Sequence, residues 1–336
     1  MTEKEALHRA LGLALRGWGR VSPNPLVGCV LLQGDRVVGE GWHAEYGQAH
    51  AERMALEAAG EEARGATAVV SLEPCAHQGK QPPCADALIA AGVRRVVIAA
   101  PDPNPEAQGG AAKLRAAGIE VAIGQMEAEA RRINAPFYHR FADRHRPWIA
   151  LKLATSAEGM IAPRERARVQ LTGPEAQAWV HEFRAGFDAI AVGGTTAIVD
   201  DPQLTVRGAV TPRVAPRRVV FAGAESLPAH LKLLTDGGPE TLVVRGHDLP
   251  GTLKRLRQEE GITSMLVEGG ARLAAALVAA GVVDQYYWIR TPQKLGPDGV
   301  PAHPWLAPGT MNVPGGWRVI GHKSLGLDIL QAMERA

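Results

Sequence analysis

Residues 68–91 read AVVSLEPCAHQGKQPPCADALIAA, and this stretch decides how the first half of the chain folds. Ala68 to Leu72 is an apolar run of strand length, Glu73-Pro74 ends it, and Pro82-Pro83-Cys84 opens a helical run from Ala85 to Ala91. Cys75 therefore follows a strand directly. Cys84 stands where a helix begins, where unpaired N–H groups and the helix dipole favour a thiolate.

Upstream, His50-Ala51-Glu52 opens another helix after Gly47. One imidazole and two thiolates suit Zn2+, and three protein ligands leave a fourth position for water, the catalytic and not the closed structural arrangement. His50, Cys75 and Cys84 are the metal candidates, and Glu52 is the candidate acid–base group. On an ideal helix positions 50 and 52 lie about 200° apart, so the entry turn must aim the imidazole at the metal and the carboxylate at the water. Zinc lowers the pKa of its water towards neutrality, and a carboxylate can then pass the proton to a departing ammonia. Zinc deaminases carry this set as H-x-E followed by P-C-x-x-C. Here the second cysteine comes nine residues after the first, across the loop Ala76 to Pro83. Cys29, inside the apolar run Leu26 to Leu32, reads as a core residue.

Working outward, Glu3 to Arg16 has helical spacing, and Leu26 to Leu32 pairs as a strand with Val37 to Trp42 across Gly34-Asp35. Helices are expected at 50–59, 84–91, 108–117 and 126–140, with strands at 67–72, 94–99 and 119–123 between them. Arg144-His145-Arg146-Pro147 punctuates the chain, giving domains 1–146 and 147–336. Strands near 148–154, 188–192, 217–221, 241–244, 263–267 and 284–290 alternate with helices in the second. Such alternation argues for two α/β domains with mostly parallel sheets covered on both faces.

A chain of 336 residues exceeds one core, and its 46% hydrophobic and 21% charged composition is that of a soluble enzyme. A net charge of +2 and sparse aromatic residues give little support to a nucleic-acid surface. Three cysteines make no disulfide framework, and no apolar run reaches the ~18 residues of a membrane span. The expected location is cytoplasmic.

The first half resembles the bifunctional deaminase/reductase family of bacterial riboflavin biosynthesis. The resemblance rests on Pro23-Asn24-Pro25-Leu26-Val27-Gly28, Gly41-Trp42-His43, His50-Ala51-Glu52, Glu73 to Lys80, Pro82-Pro83-Cys84 and Pro101 to Pro105. It implies a cytidine-deaminase-like α/β/α domain followed by a dihydrofolate-reductase-like α/β domain. The implied substrate is a diaminopyrimidinone bearing a ribosylamino 5′-phosphate, a small molecule and neither nucleic acid nor membrane. By this resemblance Asn24 and His43 contact the ring, while His77, Lys80 and Asn104 face the ribose phosphate.

In the second half Lys152 interrupts an apolar strand, a costly place for an unpaired ammonium. Gly193-Gly194-Thr195-Thr196 and Glu268-Gly269-Gly270-Ala271 both stand between an apolar strand and a helix, where backbone N–H groups can approach a phosphate. These strings resemble the family's reductase domain, which implies NADPH reducing the opened ribose to a ribityl chain. The resemblance puts Lys152, Thr172, Arg184, Asp200, Leu204, Arg207 and Glu268 on the substrate side, with Lys152 and Asp200 catalytic. It puts Ala154, Gln170, Thr196, Asp200, Gly269 and Gly270 on the cofactor side. Arg168 and Gln170 stand where the family usually has Ser and Trp, Met160 where it has Arg, and Glu158 where it has Asp. Two rival readings follow: a deaminase with its second half kept as scaffold, and a nucleic-acid deaminase or zinc-stabilised RNA-binding module. A homo-oligomer is compatible with the sequence.

Overall fold

The computed structural model describes residues 1–79, 82–165, 168–302 and 316–336. They form two compact units, Met1–Ala142 and Asp143–Ala336. The first begins with α1 (Glu3–Ala14), held at its start by Thr2, whose hydroxyl accepts from Glu5 N while the Glu5 carboxylate accepts from Thr2 N. Then come β1 (Gly28–Gln33), β2 (Arg36–Trp42), α2 (Ala51–Ala59), β3 (Thr67–Leu72), α3 (Cys84–Ala91), β4 (Arg95–Ala100), α4 (Gly110–Ala116), β5 (Glu120–Ile123), α5 (Glu127–Ile133) and α6 (Ala135–Ala142).

Their sheet runs β2-β1-β3-β4-β5. Period-two alternation sorts its apolar side chains onto two faces. Leu31, Val70 and Ile98 pack with residues of α2, α3 and α4, while Val30, Val69 and Val97 pack with residues of α1 and α5. The result is an α/β/α sandwich with Cys29 in its core. The mostly parallel sheet expected here has one exception: β1 runs antiparallel to both its neighbours, β2 and β3, while β3, β4 and β5 pair in parallel, so β2 and β3–β5 share one direction. The helix expected over 126–140 is also two helices. Asn134 turns its side chain inward, its oxygen accepting from Leu26 N at 2.7 Å and its amide donating to Leu26 O at 2.9 Å. That buried clasp competes with helix continuation.

The second unit contains β6 (Trp148–Thr155), β7 (Met160–Ala162), α7 (Pro174–Phe183), β8 (Ala189–Gly193), α8 (Gly194–Asp200), β9 (Arg217–Gly223), α9 (Lys232–Thr235), β10 (Thr241–Arg245), α10 (Leu249–Gln258), β11 (Ser264–Val267), α11 (Ala271–Ala279), β12 (Gln285–Arg290), β13 (Val300–Pro301), β14 (Trp317–Leu325) and β15 (Asp328–Arg335). Its large sheet runs β10-β9-β8-β11-β6-β12-β15-β14, parallel from β10 to β12 and antiparallel beyond. Alternate residues again face two cores, Ala189 and Ala191 in one and Ile190 and Val192 in the other. Among the described residues no helix is long and apolar enough to cross a membrane.

Candidate active site

Three elements of the first unit deliver the metal candidates to one point. His50 is the N-cap of α2 with extended backbone (φ −75°, ψ 163°), so it precedes the helical twist that separates positions 50 and 52. This resolves the angular difficulty, because Glu52 alone is helical. Cys84 opens α3, and its backbone N–H donates to Cys75 Sγ at 3.3 Å. His50 Nδ1 lies 3.4 Å from Cys84 Sγ and 3.8 Å from Cys75 Sγ, and the three donor atoms fall within 4.8 Å of one another. Zn–S bonds of about 2.3 Å and a Zn–N bond of about 2.0 Å in a tetrahedron separate donors by about 3.5–3.8 Å. The set fits the ion.

Electrostatics agrees. The hydrogen bond from Cys84 holds the Cys75 thiol down at about 4, while that same neighbour and burial push Cys84 far up. Left to themselves the two sulfurs share one negative charge; a dication is what lets both ionise. Burial raises the Glu52 carboxyl, and Glu52 Oε2 is buried with no hydrogen-bond partner. A buried acceptor beside a metal candidate is a group in want of a water or a substrate proton.

His50, Glu52 and Cys75 line a cavity of about 210 Å3 together with Asn24, His43, His77 and Asn104, and Cys84 is buried behind them. His43 Nδ1 donates to Ala49 O at 3.1 Å, so its Nε2 accepts from the Asn24 amide at 3.1 Å. Burial pushes His43 down to about 4, leaving a neutral ring of fixed tautomer that engages the Asn24 amide nitrogen. His77 is exposed at the rim, and Lys80 lies outside the described residues.

Sequence reasoning missed Glu73. Its carboxylate accepts from the backbone N–H groups of Gly109 (3.1 Å), Ala111 (3.0 Å) and Asp102 (3.3 Å), tying the loop that carries Asn104 to the strand end that carries Cys75. Asp102, pushed up to about 6 mainly by burial, accepts in turn from Asn104 N at 2.8 Å. The only clue in the sequence is an acid between an apolar strand and a proline.

In the second unit a cavity of about 680 Å3 opens at the carboxyl ends of the parallel strands. Lys152, Ala154, Gln170, Thr172, Thr196, Asp200, Glu268 and the Gly269–Gly270 turn all border it. Lys152 Nζ lies 3.9 Å from Glu268, which answers why a lysine interrupts the strand. Burial would raise Glu268, but the charge and bidentate hydrogen bonds of Arg184 (2.5 and 3.0 Å), with Lys152 behind them, hold it at about 2. Burial lowers the Lys152 ammonium against the pull of Glu268.

Three expected contacts fall elsewhere. Arg184 is buried and committed to Glu268 and to Thr205 O (2.8 Å), so it positions a cavity residue and does not line the cavity. Leu204 packs its side chain with Ile190 and Val220 from a left-handed backbone (φ 50°). Arg207 is exposed and bonded to Thr205 and Gln203. Gln170 turns back on Thr172, donating to its carbonyl and its hydroxyl at 3.1 Å each. Arg168 is exposed and contributes a field that lowers Asp200 against the larger, raising effect of burial.

Two family descriptions match the chain. Residues 1–100 match the cytidine and deoxycytidylate deaminase zinc-binding region, and residues 147–304 match the RibD C-terminal domain. The riboflavin biosynthesis protein RibD of Escherichia coli is 40% identical over 331 residues, covering 89% of this chain and 90% of that protein. The solved structure of Acinetobacter baumannii RibD superposes with a TM-score of 0.83 at 34% identity, covering 99% of each chain. A diaminohydroxyphosphoribosylaminopyrimidine deaminase/5-amino-6-(5-phosphoribosylamino)uracil reductase from Thermotoga maritima superposes at 0.84 with 31% identity, again over 99% of each.

Proposed function

The chain belongs to the RibD family of bifunctional riboflavin-biosynthesis enzymes, and from that premise we propose how its residues divide a deamination and a reduction between the two units. The observation that carries the first is the donor set His50, Cys75 and Cys84 with Glu52 beside it, its Oε2 without a hydrogen-bond partner, at a cavity lined by His50, Glu52 and Cys75. Zinc held by that set would lower the pKa of a water towards neutrality. Glu52 takes the proton from the attacking water and returns it to the leaving amine, a task suited to a carboxyl raised by burial. Asn24, oriented by neutral His43, presents its carbonyl to a ring N–H of the pyrimidine. Asn104, held by the Glu73 cap, and His77 lie on the side where the ribose phosphate extends.

In the second unit a nicotinamide cofactor bound in the larger cavity would supply the hydride. Lys152 and Asp200 are the groups placed to hold or move a proton at the sugar, and Glu268 fixes Lys152. The cavity with its two glycine turns supports a working reductase despite Arg168 and Gln170.

Ammonia release and NADPH oxidation, followed separately on the same pyrimidine ribonucleotide, test both halves. Glu52→Gln keeps one zinc per chain and loses deamination by about 10²–10⁴-fold; Cys84→Ser loses zinc and deamination together. Both variants still oxidise NADPH when given the deaminated product. Stoichiometric zinc with normal ammonia release in Cys84→Ser overturns the ligand set, and no NADPH oxidation by the wild type overturns the reductase.

A further inference from the structure

The larger cavity follows the strand order β10-β9-β8-β11-β6. Lys152 marks its β6 side, and the two glycine turns, into α8 and into α11, lie between that side and the ends of β9 and β10. A dinucleotide bound with its reacting ring at Lys152 would find the N–H groups of the two glycine turns for its diphosphate. Its adenosine ribose would then lie towards the ends of β9 and β10. There the chain offers a carboxylate.

Glu225 stands two residues beyond β9 and borders the cavity. Its Oε1 accepts from Thr195 Oγ1 at 2.7 Å and from Arg272 at 2.9 Å, while Oε2 is buried with no hydrogen-bond partner. The carboxylate sits against Gly194, where a Cβ would come within 2.6 Å of Oε2, so the close approach depends on that glycine. Arg272, at the first turn of α11, leaves 74% of its side chain exposed but spends its charge on Glu225. The other acid there, Asp248, is occupied as the N-cap of α10, accepting from Gly251 N at 3.0 Å.

In dinucleotide-binding sheets an acid at this end of the cofactor accepts from the ribose hydroxyls of NAD, whereas an arginine accommodates the 2′-phosphate of NADP. Here the strand beside the glycine-turn strand β8 is β9, and it leads to Glu225. A 2′-phosphate would meet the carboxylate as a like charge and would have to draw Arg272 away from it.

We infer that Glu225 sets the cofactor preference of the reductase unit and admits NADH alongside NADPH. The inference rests on the reading of this cavity as a dinucleotide site. Binding of NADH and of NADPH to the full chain, each measured by calorimetric titration without substrate, tests it. Wild type binds the two with Kd values within about tenfold of each other. Glu225→Gln keeps the shape, removes the charge and shifts the ratio towards NADPH by about tenfold or more, the scale of one hydrogen bond to a charged group. Arg272→Ala, which leaves the carboxylate bare, shifts it the opposite way. A ratio unmoved in both variants overturns the inference while leaving the cavity a dinucleotide site. Binding of neither cofactor to the wild type overturns that reading and the inference with it.

Discussion

A buried carboxylate near 2 is a statement about stability as well as about a site. Glu268 is ordinarily 4.5 and is held at about 2, burial opposing and Arg184 prevailing. A depressed carboxylate contributes stability above its unfolded pKa and loses it as pH falls through the folded one. Arg184→Met removes the dominant partner and leaves the carboxylate buried, which costs about 3–5 kcal/mol at pH 7. The variant's Glu268 then protonates readily, so the gap between variant and wild type narrows as pH is lowered towards 3. Urea unfolding of the second unit at pH 7, 5 and 3 reads it; a gap of constant size would show that the pair carries no net charge effect. At this scale the sequence displays residues that bring their chemistry with them: a His, a Glu and two Cys in the deaminase order, with a lengthened loop between the cysteines. It does not display residues whose role is set by a distant neighbour. Arg184 looks like a free cation until Glu268, 84 positions later, is seen to occupy it. Glu73 looks like a turn residue until three backbone N–H groups converge on it.

Elements in the first unit approach one another so closely that some positions accept no side chain. Gly110, the first residue of α4, faces the carbonyl of Pro74, and a Cβ there would overlap it. Pro74 immediately precedes Cys75. Gly110→Ala therefore forces α4 or the Pro74–Cys75 segment outward, at a cost of about 1–3 kcal/mol or more. The expected outcome is a lowered unfolding temperature together with zinc below one per chain; full zinc at unchanged stability would show that the strand end yields freely. Element type was legible wherever a strand or helix had its own periodicity, as in β3 and α3. Pairing direction was not, because both faces of the first sheet are covered and its one reversed strand, β1, is as apolar as β3 beside it. The break at Asn134 was hidden for another reason: the partner that captures its side chain, Leu26, is 108 residues away. The β14–β15 hairpin was missed altogether. Exposed residues such as Lys323 and Ile329 interrupt its alternation.

Each unit of the whole molecule has its own apolar cores, and the two are built to different plans. In the first, β3 pairs with β1 and β4, both close to it in sequence. In the second, β6 lies between β11 and β12, so the earliest strand of that sheet takes both neighbours from more than a hundred residues further on. Translation proceeds at about 5–20 residues per second, and β6 therefore waits on the order of ten seconds outside the ribosome before either flank exists. Ribosome-tethered chains that end just before Ser264 should resist protease through residue 142 yet be digested beyond it. Chains that include β15 should be protected in both units, and equal protection of the second unit in the shorter chain would refute the order. Over that interval the newly made Ile149, Leu151 and Leu153 are a sticky, uncovered ribbon, and the yield of active reductase depends on how fast the rest is synthesised and on whether a chaperone reaches the ribbon first.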